Sequence, residues 1–355
     1  MDCTSEATFR CPGEPYHISA AQHWARLERH YHKCADCQHR WEQSGLPQQT
    51  LHRFAREEQF FHTTTHCTSP ESIGGVWLNQ FGPLQAQLWA SAFGKFLLSD
   101  HSQTATVLVA NDGRDRSPEM VAAVMDALRS QSCHAVEVGV LSAPALADAV
   151  RRRQAQGGVR VGNPLGLTTT VGLRFWTEHG RPLANNQFQT MQAQFSETSQ
   201  IRPAQRPLRH ALERLDVEAD YLARFAPHYH ALRPLTVALS TDCQSVITAL
   251  RHLFLQVGCC LTTYLANSPN HLPFRQFVKT SPAQLGMWID TEGEQCQAFD
   301  EHGQAIPTAT LTSLLASFFP PAELLASDAL WVLTYLLKLL SQSDLPLSAH
   351  CRGIA

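Results

Sequence analysis

Charge is scarce in this 355-residue chain: 17% of residues are charged and the formal net charge is −3. Without a basic surplus there is no electrostatic footprint for nucleic acid, and there is no acidic tail. No nucleic-acid partner is expected. Long apolar runs are lacking too. The longest, Leu324 to Leu340, is interrupted by Asp328 and Lys338 and is short for a bilayer. It reads as a buried helix, and no membrane partner is expected. The opening residues Met-Asp-Cys-Thr-Ser-Glu hold neither a basic nor an apolar stretch, so no signal peptide is expected and the cytoplasm is the expected compartment. Cysteine, by contrast, is plentiful. Eleven cysteines without a secretion signal argue for reduced thiols or metal ligands rather than disulfides. The length allows two or three domains, each with its own core.

Cysteine and histidine concentrate before residue 70, which marks a first boundary and a segment over 1–68. Cys34-Ala-Asp-Cys37 follows an expected helix over Ser19 to Lys33, and Cys11-Pro-Gly-Glu14 resembles the other half of a zinc ribbon with its second cysteine exchanged. Thiolates and imidazoles at such spacings suit tetrahedral Zn²⁺. Cys11, Cys34 and Cys37 are the expected ligands of a structural zinc, with the fourth open among His17, Glu14, His32 and Cys3. So small a segment gains from a metal staple. His23, His30 and His32 are expected on the solvated face of the helix.

The rest of the chain alternates strands and helices, which implies α/β architecture. Leu84, Leu88, Phe93 and Phe96 fall at helical spacing over 83–98, with Pro83 suited to the first turn. Strands are expected over 105–110 and 135–141, a helix over 120–128 and another opening at Ala143-Pro144. Two more strands cover 158–162 and 171–176. A polar stretch, Gln187 to Arg209, reads as domain tail and linker. The pattern then restarts: helix 217–230, strand 235–240, helix 242–256, strands 259–265, 286–290 and 296–300, and helices 310–318 and 324–340.

Five short signals stand in order along this pattern. They are Ile73-Gly74-Gly75-Val76, Gly113-Arg114-Asp115, Gly139 to Leu146, the loop Gly158 to Phe175, and Asp290-Thr-Glu292-Gly-Glu294 followed by Phe299-Asp300-Glu301-His-Gly303. Together they resemble the first two domains of the phosphohexomutases, the phosphoglucomutase/phosphomannomutase family. The resemblance implies two consecutive α/β domains, over 69–200 and 210–345, after the zinc-ribbon-like segment. It also implies a chemistry in which a serine passes a phosphoryl group between the two ends of a hexose phosphate, with metal and cationic clamps around it.

Against that pattern several groups are exchanged. Pro164 stands in place of the serine and Leu165 in place of the following histidine; Arg174 replaces a lysine, Gln295 the arginine after the metal loop, and Gly74 the arginine of the opening motif. Thr168, Thr169 and Thr170 are the hydroxyls left in the loop. Asp290, Glu292 and Glu294 keep three carboxylates on alternate positions, which suits either a weak Mg²⁺-type cation site or a solvated acidic hairpin tip. Arg114 reads as structural, pairing with Asp115 or its loop. The chain ends about where the resemblance would start a third domain, which carries the sugar-selecting loop. The expected function is a protein that has lost mutase activity, with a binding, assembly or regulatory role and a protein partner or second copy. A residual sugar-phosphate phosphotransferase is the alternative.

Overall fold

The computed structural model describes residues 8–28, 34, 37–39, 48, 67–69, 72–77, 80–100, 105–166, 169–199, 213–230, 232–255, 257–264, 271–318 and 327–353. A small antiparallel pair, β1 (Thr8–Phe9) and β2 (Ile18–Ser19), brackets the Cys11 turn and leads into α1 (Ala20–Glu28). Among the described residues its apolar core is Phe9, Cys11 and Ile18, with Ala20 against them.

The first α/β unit runs β3 (Cys67–Ser69), β4 (Ser72–Val76), α2 (Pro83–Asp100), β5 (Thr106–Asn111), α3 (Ser117–Ser130), β6 (His134–Val140), α4 (Ala143–Arg153), β7 (Gly157–Gly162), β8 (Thr170–Thr177) and α5 (Asn185–Ser199). With β9 (Glu213–Arg214) its sheet has the order β3-β4-β8-β7-β5-β6-β9. β5 is parallel to β6 and β7, while β8 runs antiparallel to both its neighbours, β7 and β4. Along β5, Val107 and Val109 enter one core with α2, α3 and α5, and Leu108 and Ala110 enter another on the opposite face. A strand apolar on both sides suits a sheet covered on both faces.

Helix α5 corrects the linker expected from Gln187. Its polar composition hides Phe188, Met191 and Phe195 at helical spacing, and Phe188 and Phe195 stack on Trp89 of α2 with centroids 5.9 and 4.1 Å away. The expected helix 217–230 is instead two short ones, α6 (Glu218–Leu222) and α7 (Ala226–Tyr229). Pro227 cannot continue a helix but starts one well.

The second unit runs β10 (Thr236–Ser240), α8 (Gln244–Leu255), β11 (Cys260–Thr263), α9 (Leu272–Thr280), β12 (Leu285–Ile289), β13 (Cys296–Phe299), α10 (Thr308–Leu315), α11 (Ala329–Ser341) and α12 (Leu347–Arg352). Its sheet order is β11-β10-β12-β13, with only β13 antiparallel. Helices α9 and α12 were not expected from the sequence. α9 lays Phe274 and Val278 against Ala238 and Phe299 on one face of this sheet. The opposite face, with Val237, Leu239, Leu285 and Met287, merges with Leu108 and Val136 of the first sheet and with α11 in one continuous core. Thus the two units share apolar surface.

The apolar helix expected from Leu324 begins at Ala329, because the Asp328 side chain accepts from Leu330 N at 3.1 Å and caps it; residues 321–326 lie outside the described residues. Buried residues from Ala329 to Leu340 cover nearly every side of α11. Among the described residues no helix is long and apolar enough to cross a membrane.

Candidate functional site

Three segments meet where β5, β7 and β12 end: the 112–117 loop, the 163–170 loop and the 290–295 hairpin. Ligand crevices of α/β sheets form outside such strand ends. In the first, Asp112 Oδ1 accepts from Arg114 N at 3.2 Å and from Ser117 Oγ at 2.5 Å. Arg114 Nε lies 3.4 Å from Asp112 Oδ2, so its ion pair is with Asp112 rather than Asp115. Arg116 sits over the Trp77 ring at 5.9 Å, and burial together with Arg114 pushes its guanidinium down. A cavity of about 170 Å³ is lined by Asp112, Arg114, Arg116, Ser117 and Thr170.

The second segment is a tight turn. Gly166 N donates to Asn163 O at 3.1 Å, and Gly166 holds a left-handed φ of 71° that an L side chain would resist. Pro164 and Leu165 occupy the turn between them and lie against β8 and β4. A Cβ added at Gly172 would sit 2.9 Å from Pro164 Cγ and 2.2 Å from Ile73 O. One added at Gly74 would sit 2.8 Å from Val171 O and 3.5 Å from Leu165 Cδ1. Gly74 and Gly172 are directly paired across the two strands, a close approach that leaves no room for a side chain at either. The Thr170 hydroxyl is bonded to Asn163 Oδ1 at 2.5 Å, and Thr169 O accepts from Trp77 N at 3.0 Å. Thr168 lies outside the described residues.

The third segment turns back through Gly293 (φ 79°), with Asp290 Oδ1 accepting from Glu294 N at 2.9 Å. Two of its three acidic side chains, Glu292 and Glu294, are directed at arginines of the first unit. Arg160 Nη1 donates to Glu292 Oε1 at 2.5 Å, and its Nε donates to Leu141 O at 2.8 Å. Arg160 is 2% exposed and the Glu292 side chain 9%, so this is a buried pair. Burial alone would push the guanidinium down, but Glu292, with Cys243 and Asp112, outweighs it and holds it up. Arg174 Nη1 donates to Glu294 Oε2 at 2.6 Å while lying over the Trp176 ring. A backbone bond adds to the junction, from Ala143 N to Glu292 O at 2.9 Å, while Ala329 N donates to Gly293 O at 3.1 Å within the second unit. Burial, with smaller contributions from Glu292 and Glu294, pushes the Asp290 carboxyl up to about 6.

Arg160 was not singled out from the sequence. Its signal was there: one arginine inside the apolar strand Gly157–Gly162 demands a buried acceptor. Its partner, 132 residues away, could not be read from spacing.

In the N-terminal segment Cys11, Cys34 and Cys37 are all buried. The Cys11 and Cys34 turns are each closed from the third residue on, Glu14 N to Cys11 O at 3.1 Å and Cys37 N to Cys34 O at 3.4 Å. Arg26 Nη1 donates to Cys11 Sγ at 3.0 Å and to Glu14 Oε2 at 2.7 Å, so a guanidinium already joins the first turn's two candidate ligands. His23 is buried and stacks on Phe9 with centroids 4.1 Å apart, which corrects its expected solvated position. His30, His32 and Cys3 lie outside the described residues, and His17 is exposed. Among the described residues no three His, Cys, Asp or Glu side chains converge as a metal ion would require. This holds for Asp290, Glu292 and Glu294 as for the three cysteines.

Comparison with known proteins agrees with this architecture. Residues 73–202 match the family model for phosphoglucomutase/phosphomannomutase, alpha/beta/alpha domain I. The chain is 24% identical over 253 residues to the phosphoglucosamine mutase of Streptococcus suis, covering 67% of this chain and 56% of that protein. It is 23% identical over 255 residues to the phosphoglucosamine mutase of Streptococcus gordonii, with the same coverage. The chain therefore spans about half the length of the curated relatives it matches. Among solved structures, a phosphoglucomutase/phosphomannomutase family protein from Burkholderia thailandensis superposes with a TM-score of 0.67 at 18% identity, covering 81% of this chain and 80% of that one. A putative phosphomannomutase from Thermus thermophilus gives 0.66 at 14% identity, covering 82% and 83%. Residues 73–202 thus match that family's domain I, and the chain shares the fold of these phosphohexomutase structures into its second α/β unit.

Proposed function

We propose that this chain is a phosphohexomutase relative that does not transfer phosphoryl groups and acts instead as a binding or assembly protein, with another protein or a second copy as its partner. The observation that carries this reading is the 163–166 turn. It holds Pro164 and Leu165 where the resemblance puts the family's serine and histidine, and its neighbouring hydroxyl, on Thr170, is bonded to Asn163 Oδ1. Proline has no oxygen to take up phosphate, and leucine has no proton to move. Gly74 compounds the loss, since the Gly74–Gly172 contact excludes the arginine of the family motif.

A second reading, residual sugar-phosphate phosphotransfer, draws on the 170 Å³ cavity beside Arg114, Arg116 and Thr170. The two readings part in a coupled turnover assay on hexose 1- and 6-phosphates with a hexose bisphosphate and Mg²⁺. No interconversion is expected. Turnover that disappears when Thr168, Thr169 and Thr170 are replaced by alanine would establish the second reading.

The N-terminal segment is proposed to bind a structural zinc through Cys11, Cys34 and Cys37, the metal drawing the three thiols together. Their joint burial, and the small apolar core that the described residues give around Cys11, support this, since a small segment gains from a staple.

A further inference from the structure

A groove of about 830 Å³ opens at the end of the first sheet away from the 163–170 loop, between the last turn of α4 and the turn after β8. Arg151 and Gln154 line it from the helix side and His179 and Arg181 from the turn, and Ala155 is the one apolar residue of its lining. Both walls are fixed. Gly180 N donates to Thr177 O at 2.9 Å and Thr177 N to Arg181 O at 2.8 Å. A Cβ added at Gly180 would sit 2.3 Å from Ala147 O, so the turn is pressed against α4. Gln156 is locked between the walls, its Oε1 accepting from Thr106 N at 2.8 Å and its Nε2 donating to Gln154 O at 3.1 Å.

Positive charge outnumbers its acceptors here. Asp148 alone faces three guanidinium groups, those of Arg151 at 3.4 Å, Arg152 at 2.9 Å and Arg224. A helix end favours cations near its last carbonyls, which accounts for the arginine run 151–153. It does not account for Arg181, which stands on the turn, is exposed, and makes no ion pair or side-chain hydrogen bond among the described residues. The carboxylate of the lining, Glu178, lies 3.5 Å from His179. We infer that an acidic, extended segment of a partner protein docks in this groove, with Arg151 and Arg181 pairing its carboxylates. Charge complementarity selects that occupant, since guanidinium groups take carboxylates through paired N–H donors. An amphipathic helix is a poor fit, because a lining with one apolar residue gives its apolar face nothing to pack on. A local positive surplus on a chain of net charge −3 also steers an acidic segment to this end of the molecule. The inference rests on the binding role proposed above for the existence of a partner, but not on the loss of phosphoryl transfer. Peptide binding and turnover are measured separately, so either reading can fail alone.

The test is fluorescence anisotropy of the full chain with a short fluorescein-labelled peptide of alternating glutamate and serine. Binding is expected at low salt and should weaken as salt screens the exposed arginines. Arg151→Glu/Arg181→Glu should weaken it about tenfold or more, because like charges then face each other. Lys279→Glu/Arg352→Glu, an equal change of charge at exposed positions of α9 and α12, should leave it unchanged. If circular dichroism shows the first variant unfolded, Arg181→Glu alone decides, with a several-fold loss expected. No binding by the unaltered chain, or an equal loss in both double variants, would overturn the inference. So would displacement of the peptide by inorganic phosphate at matching concentration, which would make the groove a small-anion site.

Discussion

Replacing Arg160 by methionine keeps an unbranched apolar stem of similar reach and removes the guanidinium. Glu292 is then left charged, 93% out of solvent, with neither oxygen opposed by a cation. Leu141 O loses its 2.8 Å donor as well. Breaking a buried pair from one side costs about 3–5 kcal/mol, because the remaining charge is uncompensated. Adding Glu292→Gln removes that charge, so the double variant should recover most of the loss. Arg174→Met is the internal control. Its pair with Glu294 is 11% and 20% exposed and lies nearer solvent, and a loss of about 1 kcal/mol is expected. Urea unfolding followed by tryptophan fluorescence reads all three, with Trp176 and Trp288 on strands of the two sheets. If Arg160→Met lies within 1 kcal/mol of the unaltered chain by this measure, or if Glu292→Gln restores nothing, the buried pair does not join the units as described.

Other predictions concern the helix cap, the strand contact and the cysteines. Burial pushes Asp328 up to about 7 against an ordinary 3.8, despite the Tyr221 hydroxyl donating to it at 2.9 Å and Arg224 nearby. A carboxyl raised in the folded state contributes stability fully present below its unfolded pKa and lost as pH rises through about 7. Asp328→Asn, which keeps the cap acceptor, should therefore flatten the fall in thermal stability between about pH 4 and 7. Gly172→Ala would place a Cβ 2.2 Å from Ile73 O, and forcing β4 from β8 should cost at least about 1–3 kcal/mol in urea unfolding. For the cysteines, elemental analysis of protein purified without added metal should give about one zinc per chain; folded protein free of zinc would leave Arg26 as the cation of the Cys11 turn.

Much of the architecture was legible because β5, β6, β10 and β12 are short apolar runs and the helices between them carry a clear period. Where the reading failed, local composition concealed tertiary contacts. The polar glutamines of α5 outnumber the three residues that pack it, and α9 begins at Leu272-Pro273, which reads as a break although proline suits a first turn. Pro164, Leu165 and the three hairpin carboxylates were found from motif order, but motif order describes exchanged residues and cannot say what fills the space. That Glu292 and Glu294 reach Arg160 and Arg174 depends on how the second unit docks on the first, through a core of residues far apart in the chain.

The central claim is that no group in the 163–170 loop takes up phosphate. Intact-mass spectrometry of the chain after incubation with a hexose bisphosphate and Mg²⁺, then removal of the sugar, tests it directly, because a transferred phosphoryl group must reside on the protein between its two moves. An unchanged mass is expected, both for the chain as it stands and for Pro164→Ser/Leu165→His, since the exchanges at Gly74 and Gln295 remain. A stoichiometric phosphoryl adduct on the unaltered chain, mapped to Thr168, Thr169 or Thr170, would contradict it.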